Sequence, residues 1–246
     1  MLAQFYQKIW SEAYGQNDNN IISLLEKNPK ANVIDIGCGD GQKTIKFKKQ
    51  IGCKTITGLD GVSERLSAAK KIGVDKIILA DIEKKWPFRK NQFDVVISNQ
   101  VIEHIANTDN FIQEIYRILK PGGYCVISTE NLASWHNIFA LILGFQDFSH
   151  HTIMKLHVTN PLSPHFMEKT LTWSKKANSG VDDTAFPHLK ILTYKSLKKV
   201  FEAYDFIFEK GKSSGYYPLF GRLSFLLSKI DPYHSHFITV KMRKTP

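Results

Sequence analysis

Glycines and aspartates stand at the ends of three successive apolar runs in the first third of the chain. Gly37, Gly39 and Gly41 follow the first run, and Asp60 and Asp81 close the second and the third. Glycines let the backbone turn sharply and approach a ligand that a Cβ would exclude. A carboxylate after the second strand can accept hydrogen bonds from both hydroxyls of a ribose, and one after the third can accept a bond from an exocyclic amine. Because open α/β sheets bind ligands at the carboxyl ends of their strands, this spacing predicts a ligand that contains a nucleoside.

A glutamate and a histidine, Glu103 and His104, follow the fourth apolar run. His104 is the best candidate for a general base, because an unperturbed imidazole pKa of about 6.5 suits proton transfer near neutrality. The alternative is that the pair only organises its loop. Gln42 stands where the dinucleotide fingerprint G-x-G-x-x-G requires its third glycine, and this departure argues against NAD(H).

The elements that position these residues alternate short apolar runs with amphipathic stretches, which is typical of a βαβα chain with a parallel sheet. The predicted strands are residues 31–36, 55–59, 76–80, 93–98 and 124–128, with helices at 42–50, 63–72 and 110–119, and Pro121-Gly122-Gly123 breaks the last helix. Beyond an apolar helical stretch at 135–148 the periodicity is lost, until a helix at 194–203 and strands at 206–210 and 236–242. Tyr6, Trp10 and Tyr14 are spaced by four and predict an N-terminal helix.

Composition excludes several classes of protein. Of the 246 residues 43% are hydrophobic, which excludes a disordered chain. The longest apolar run, Ile138–Phe145, is far shorter than the ~18 residues of a membrane-spanning helix, and no secretory signal is visible. Cys38, Cys53 and Cys125 show neither a disulfide nor a zinc-ribbon spacing, so we expect a reducing, cytoplasmic location. The net charge of +10 fits a polyanionic or membrane partner as well as an ordinary solvated surface.

Five segments in order, VIDIGCGDG, GLD, LADI, FDVVISNQVIEHI and LKPGGYCVIS, resemble the class I S-adenosylmethionine-dependent methyltransferases, in particular the small-molecule "type 11" group. The resemblance covers residues 32–130. It implies an α/β fold with a Rossmann-like, seven-stranded, mostly parallel sheet, helices on both faces and a C-terminal antiparallel strand. The whole chain would be one domain, with a helical cap at 1–30, the cofactor core at 31–130, an insertion or lid at 131–190 and the rest of the sheet at 191–246. The resemblance also implies that an aromatic such as Tyr6, Trp10 or Tyr14 closes over the cofactor; the alternative is a plain amphipathic helix docked on the sheet.

The resemblance also implies the cofactor, S-adenosyl-L-methionine, with S-adenosyl-L-homocysteine as the product. Carried over position by position, it assigns cofactor-binding residues in four groups. They are Asp35, Gly37, Cys38, Gly39 and Gly41 around the methionine portion, Asp60 with Gly61 at the ribose, Asp81 with Ile82 at the adenine, and Asn99 with Gln100 at the mouth of the acceptor site. Glu103 and His104 are the candidate catalytic residues.

A metal-dependent variant stays open. Residues 100–104, Gln-Val-Ile-Glu-His, are similar to the E-V-I-E-H segment of small-RNA 3′-terminal 2′-O-methyltransferases, in which glutamates and histidines hold a divalent ion. Gln100 replaces the first glutamate here, which weakens any site for a hard cation. His150 and His151 are further candidate ligands for a transition ion, although adjacent loop histidines are more often surface residues. No metal is therefore assigned.

The expected function is methyl transfer, directed to an oxygen of a small or lipid- or sugar-linked acceptor. The alternatives are a metal-assisted RNA 2′-O-methyltransferase and a non-catalytic protein that binds S-adenosylmethionine. The chain has no arm rich in lysine and arginine, which argues against a nucleic-acid partner. Trp135, Phe139, Leu143 and Phe145 suit an apolar acceptor wall, a bilayer interface or ordinary core packing, so peripheral membrane contact stays open. The oligomeric state is not indicated.

Overall fold

The structure is a computed structural model that describes residues 2–150, 160 and 188–246. Its centre is a seven-stranded sheet with the order β3-β2-β1-β4-β5-β7-β6. Strands β1 to β5 pair in parallel, and β7 runs antiparallel to both β5 and β6. The strands are β1 Val33–Ile36, β2 Ile56–Asp60, β3 Lys76–Leu79, β4 Phe93–Asn99, β5 Leu119–Glu130, β6 Phe206–Ser214 and β7 Phe237–Lys244. This confirms the mostly parallel sheet with a C-terminal antiparallel strand.

Helices cover both faces of the sheet. They are α1 Leu2–Leu24, α2 Gln42–Ile51, α3 Ser63–Lys71, α4 Thr108–Ile118, α5 Trp135–Ile142, α6 Tyr194–Glu202 and α7 Gly221–Ile230. Alternate residues of each strand point to opposite faces. One set packs with Phe111 of α4 and Leu197 of α6. The other packs with Ile21 of α1 and Phe47 of α2. The central strands are thus buried on both sides, which is why they read as continuous apolar runs.

Most predicted boundaries agree with the structure to within about two residues, but three are wrong by more. Helix α4 ends at Ile118, and β5 begins at once, because the Pro121-Gly122-Gly123 segment forms an irregularity inside the strand between the pairs Phe93↔Leu119 and Val95↔Tyr124. Helix α5 ends at Ile142 rather than at 148, since Gly144 follows it in the left-handed region at φ 79°. Strand β6 extends to Ser214 because its polar end still pairs with β7.

The two remaining features are helix α7, which differs from the sequence analysis, and the predicted lid, which the described residues cover only in part. Helix α7 was not predicted as a helix, because its apolar residues do not face the core. Much of the predicted lid lies outside the described residues, so the division of the chain at 30, 130 and 190 stays a prediction. Among the described residues, no helix is long and apolar enough to cross a bilayer.

Candidate active site

The glycine loop between β1 and α2 is fastened to the end of β2. The amides of Gly37 and Cys38 donate to the carbonyl of Leu59 at 2.7 and 3.1 Å. The buried carboxylate of Asp60 accepts from the Gly39 amide and from the Val62 amide, both at 2.9 Å. Asp60 therefore holds the loop in place, and each of its oxygens keeps a second lone pair for a ligand.

The glycines of this loop have different roles. All three adopt positive φ, but an added Cβ on Gly37 would lie 2.3 Å from Cγ2 of Val101. On Gly41 it would lie 2.7 Å from Cγ2 of Val74, so both positions require glycine for packing. On Gly39 it would meet open space, with no atom of the structure within 4 Å. The absence of a side chain at Gly39 therefore leaves room for a ligand to approach the backbone.

That open space belongs to a cavity of about 410 Å³ at the carboxyl edge of the sheet. The predicted residues that line it are Asp35, Gly37, Cys38, Gly39 and Asn99. Asp60 meets the cavity only through the Gly39 amide, and Gly41, Gly61, Ile82 and Gln100 do not line it. Asp81 lies away from the cavity, where its half-exposed carboxylate accepts from the amide of Glu83 and pairs with Lys84 at 3.3 Å. The volume falls within the ordinary range of small-molecule sites.

Residues of α1 and α2 outside the predicted set of cofactor-binding residues also line this cavity. Tyr14 and Asp18 line it from α1, and Lys43 lines it from the first turn of α2. The Lys43 ammonium lies 3.6 Å from the centre of the Tyr14 ring and 2.7 Å from the Asp18 carboxylate. Of the three aromatics of α1 that the sequence singles out, Tyr14 lines the cavity beside the glycine loop. Asp18 and Lys43 carry no signal in the sequence that marks this position.

A buried carboxyl, Asp35, lies at the floor of the cavity. It accepts a hydrogen bond of 2.5 Å from the Thr44 hydroxyl. Burial raises the pKa of Asp35 to about 7, although the Thr44 hydroxyl and the positive charge of Lys43 act to lower it. Desolvation disfavours the ionised form. Asp35 can therefore pair with a cationic group in the cavity. The positive charge of that group would lower the pKa of Asp35 toward its ordinary value.

Asn17 of α1 joins the ends of three strands. Its amide nitrogen donates to Oδ1 of Asn99 at 3.0 Å. Its carbonyl oxygen accepts from the hydroxyls of Ser128 at 2.7 Å and of Thr239 at 2.9 Å. Asn17 is fully buried, so these bonds fix the N-terminal helix over β4, β5 and β7. Nothing in the local sequence around Asn17 marks this role.

The backbone bends sharply at Gln100, directly after β4. Gln100 has a φ of +57°, which is uncommon for a residue other than glycine. The bend is held by its amide, which donates to the carbonyl of Ser128 at 2.8 Å, and by its side chain, which donates to the Ser128 hydroxyl at 3.3 Å. Residues in such conformations concentrate at functional sites. The bend leads into the short 3₁₀ turn Ile102–His104.

Glu103 and His104 meet a third residue, His188, which sequence reasoning missed. One ligand atom from each of these three residues lies within 4.8 Å of the others. Glu103 is fully buried, and its Oε2 accepts from the Thr129 hydroxyl at 2.9 Å, whereas its Oε1 has no hydrogen-bond partner among the described residues. Burial raises the pKa of Glu103 to about 7. The cluster could hold a metal ion or move a proton.

Of the two histidines considered as further ligands, His150 is not part of this cluster. His150 bonds to the carboxylate of Asp147 at 2.8 Å, and this bond raises the pKa of His150. His151 lies outside the described residues. His188 follows the stretch without periodicity, which explains why no pattern predicted it.

Comparisons with known proteins agree with this geometry. Residues 34–127 match the family model described as "Methyltransferase domain". The chain is similar to norajmaline N-methyltransferase from Rauvolfia serpentina, with 34% identity over 113 residues that cover 44% of this chain and 38% of the relative. It is similar to the mitochondrial ubiquinone biosynthesis O-methyltransferase from Rattus norvegicus, with 30% identity over 122 residues that cover 46% and 35%. A putative S-adenosylmethionine dependent methyltransferase from Listeria monocytogenes has the same fold, with a TM-score of 0.61, 17% identity and coverage of 96% and 98%.

Over residues 34–127 the chain matches a methyltransferase domain, and its described fold is that of solved S-adenosylmethionine-dependent methyltransferases. The cofactor that this match and this fold imply is S-adenosyl-L-methionine, with S-adenosyl-L-homocysteine as the product. The chain spans less than two fifths of the length of the two curated relatives.

A second buried polar cluster lies where β5 ends and β7 begins. Glu130 Oε1 is 3.8 Å from Nε2 of His236, and Glu130 Oε2 is 3.8 Å from Nδ1 of His188. The His136 ring is 4.9 Å from the Tyr217 ring, which is 4.7 Å from the His236 ring. Burial raises the pKa of Glu130 to about 7 and lowers that of His136 to about 3.

Buried polar atoms of this second cluster are left unsatisfied. Among the described residues, His136 Nδ1, Tyr217 Oη and Glu130 Oε2 have no hydrogen-bond partner. Such atoms are costly to bury and are rare in folded proteins. Their concentration beside the Glu103 cluster, with His188 near both carboxylates, suits the binding of a polar group.

Proposed function

We propose that this chain transfers the methyl group of S-adenosylmethionine to an oxygen of a small or lipid- or sugar-linked acceptor. The observation that carries the proposal is the cavity over Gly39, whose lining includes Asn99 at the end of β4; the bend at Gln100 and the 3₁₀ turn with Glu103 and His104 follow Asn99 directly in the chain. A donor seated over the glycine loop would therefore lie at the same sheet edge as a buried acid–base cluster.

The methyl donor supplies a sulfonium carbon that is already activated, so the protein has mainly to position the two reactants. Asp60 and the amide of Gly39 would orient the ribose of the donor. Asp35 would face the charged methionine end. Tyr14 and Asp18 on α1 would exclude water from above.

Oxygen as the acceptor atom is supported by the Glu103–His104–His188 cluster. A hydroxyl of high pKa benefits from a base as it attacks. The two relatives named above methylate nitrogen and oxygen respectively, as their names state, so the similarity by itself favours neither atom. Glu103 with a pKa near 7, and His104 beside it, would accept that proton.

A second candidate is metal-assisted methylation of an RNA 2′-hydroxyl. One carboxylate and two imidazoles, each with a ligand atom within 4.8 Å of the others, fit an imidazole-preferring transition ion. Oε1 of the buried Glu103 has no hydrogen-bond partner among the described residues. Glu103, His104 and His188 would hold the ion, which would polarise the acceptor oxygen. The single carboxylate makes the set less suited to magnesium.

The test begins with calorimetric titration of the protein with S-adenosylmethionine. Binding is expected for every version of the proposal, and no binding would overturn all of them. Release of S-adenosylhomocysteine from a cell extract then separates an enzyme from a protein that only binds the cofactor. Ribonuclease treatment of the extract abolishes the release only for the RNA enzyme, and a chelator abolishes it only if a metal is required.

His104→Ala and His104→Gln test the base. Loss of turnover with unchanged cofactor affinity supports the role, and unchanged turnover removes it. The location that we propose for the reaction is the cytoplasm, supported by the three cysteines, which are all free and buried as expected in a reducing compartment.

A further inference from the structure

Helix α7 buries polar side chains and exposes apolar ones, which is the reverse of an ordinary surface helix. Its buried residues are two serines, Ser224 and Ser228. The Ser224 hydroxyl accepts from the amide of Tyr216 at 2.9 Å, and the carbonyl of Ser228 accepts from the Ser213 hydroxyl at 2.8 Å. The large apolar side chains point outward instead, and Ile230 is 69% exposed. A surface helix normally shows the opposite pattern, with its apolar stripe facing the core.

Helix α5 likewise exposes its large apolar side chains. Its buried residues are Asn137 and Ala140. The Asn137 side chain donates to the carbonyl of Asn131 and to the Ser149 hydroxyl, so its polar group is satisfied inside the protein. On the outer side Phe139 is 58% exposed and Ile142 is 75% exposed.

The two outer sides belong to neighbouring parts of the surface. Trp135, the first residue of α5, donates from its indole to the hydroxyl of Tyr216 at 2.6 Å and to Asp231, just after α7, at 3.1 Å. Its ring also lies 4.5 Å from that of His234. We call the exposed apolar side chains of residues 135–143 and 220–230 the apolar face. Exposed apolar side chains that cluster on neighbouring helices mark an interaction site.

Positive charges lie on and beside α7. Two carboxylates lie at its ends: Glu12 accepts from the Gly221 amide at 2.8 Å, and Asp231 follows the helix beside Trp135. Arg222 and Lys229 lie on α7, and neither α5 nor α7 contains an acidic residue. The Lys229 ammonium lies 4.0 Å from the centre of the Phe225 ring, and that of Lys8 lies 4.6 Å from the Phe220 ring. Cationic groups at the rim of an apolar surface complement anionic lipid headgroups. Trp135 and Tyr233, both partly exposed, are the residue types that prefer a membrane interface.

We propose that the apolar face binds peripherally to the surface of an anionic lipid bilayer. The side chains of α5 and α7 enter the boundary between headgroups and acyl chains, and Lys8, Arg222 and Lys229 contact the headgroups. The buried cluster of His136 and Tyr217 lies directly inside this face, since His136 is on α5 and Tyr217 precedes α7. Resting on the proposed function, this placement favours an acceptor that is itself linked to a lipid.

Co-sedimentation with vesicles tests the proposal on the full-length chain. Vesicles of phosphatidylcholine mixed with phosphatidylglycerol should pellet the protein, and vesicles of phosphatidylcholine alone should pellet it far less. The double variant Ile142→Gln/Leu226→Gln should weaken binding at least about tenfold, because two apolar side chains leave the interface. The matched control Ile72→Gln/Ile207→Gln removes exposed isoleucines outside the apolar face and should bind normally. Arg222→Gln should weaken binding about fivefold.

Three outcomes would overturn the proposal. They are equal binding to both kinds of vesicle, unchanged binding of the Ile142→Gln/Leu226→Gln variant, and a wild-type dimer in light scattering that this variant abolishes without any vesicle binding. The last result would show that a second copy of the chain covers the apolar face. Titration with S-adenosylmethionine, run in parallel, shows that each variant is folded. It also distinguishes a failure of the proposed function from a failure of membrane binding.

Discussion

Gly37 and Gly39 are two residues apart, but substitution should affect different properties. An alanine at Gly37 would press on Val101 at a positive φ, so we expect it to lower the free energy of unfolding by about 2–5 kcal/mol. An alanine at Gly39 has room and should cost only about 1–2 kcal/mol for its positive φ. Its methyl group would occupy the cavity, so it should weaken binding of S-adenosylmethionine about tenfold or more.

Urea denaturation and calorimetric titration of both variants measure the two effects. Each variant is the control for the other. Gly37→Ala mainly loses stability, and Gly39→Ala mainly loses the space for the cofactor. Normal cofactor affinity in Gly39→Ala would show that the ligand does not approach this part of the loop.

Asp35 should make the stability of the cofactor-free protein depend on pH. Its pKa is raised to about 7 in the folded state, against about 3.9 for an unfolded chain. The folded state therefore binds this proton more tightly, and the stability that Asp35 contributes at low pH is lost as the pH rises from about 4 through 7. The loss is at most about 1.4 kcal/mol per pH unit.

Asp35→Asn removes this titration, so the unfolding free energy of the variant should rise relative to wild type across that pH range. Urea denaturation at several pH values, without cofactor, measures the difference. Thr44→Val is the companion variant: it removes the hydroxyl that lowers the Asp35 pKa, and the loss of stability should extend to higher pH. A difference between Asp35→Asn and wild type that stays constant with pH would contradict the prediction.

At the scale of elements, the side chain of buried Asn17 makes three of the hydrogen bonds that hold α1 to the sheet. Asn17→Ala would leave the Thr239 hydroxyl and the amide oxygen of Asn99 without this partner, and it would remove the acceptor of the Ser128 hydroxyl. Each buried polar group that loses its partner costs about 1–3 kcal/mol. We expect a loss of about 2–4 kcal/mol in urea denaturation, with weaker cofactor binding because α1 covers the cavity.

Asn19→Ala is the matched control for Asn17→Ala, because Asn19 lies on the exposed side of the same helix. It should change stability by less than about 0.5 kcal/mol. If both variants unfolded at the same urea concentration as wild type, the attachment of α1 would have to depend on its apolar contacts and on its other hydrogen bonds, such as that from Asn20 to the carbonyl of Ser213.

The elements that sequence reasoning predicted share a local signal. The parallel strands β1, β2 and β4 are buried on both faces and read as apolar runs, and their ends carry glycine, aspartate or asparagine. Helix α7 escaped prediction because its outward apolar residues and inward serines invert the usual pattern. The contributions of Asn17 and His188 depend on contacts between distant parts of the chain, which no local spacing encodes.

For the whole molecule, occupation of the cavity should raise the melting temperature. A ligand that binds only the folded state adds about 2.7 kcal/mol at a hundredfold excess over its Kd. Because 1 kcal/mol shifts the melting temperature of a domain of this size by about 2–4 °C, S-adenosylmethionine and S-adenosylhomocysteine should each raise it by about 5–10 °C. Differential scanning calorimetry measures the shift, and NADH is the control ligand, which should give none.

Asp60→Ala tests whether the same sheet edge is responsible for this shift. Asp60 also holds the amides of Gly39 and Val62, so the variant should melt at a lower temperature even without ligand. The decisive quantity is therefore the rise in melting temperature that S-adenosylhomocysteine causes, measured separately for each protein. This rise should fall to near zero in Asp60→Ala. Asp81→Ala, which removes a half-exposed carboxylate away from the cavity, is the comparison. A full increment in Asp60→Ala would mean that the donor does not bind over the glycine loop. A loss in Asp81→Ala would show that bound cofactor extends beyond the cavity to the end of β3, as the family resemblance implies.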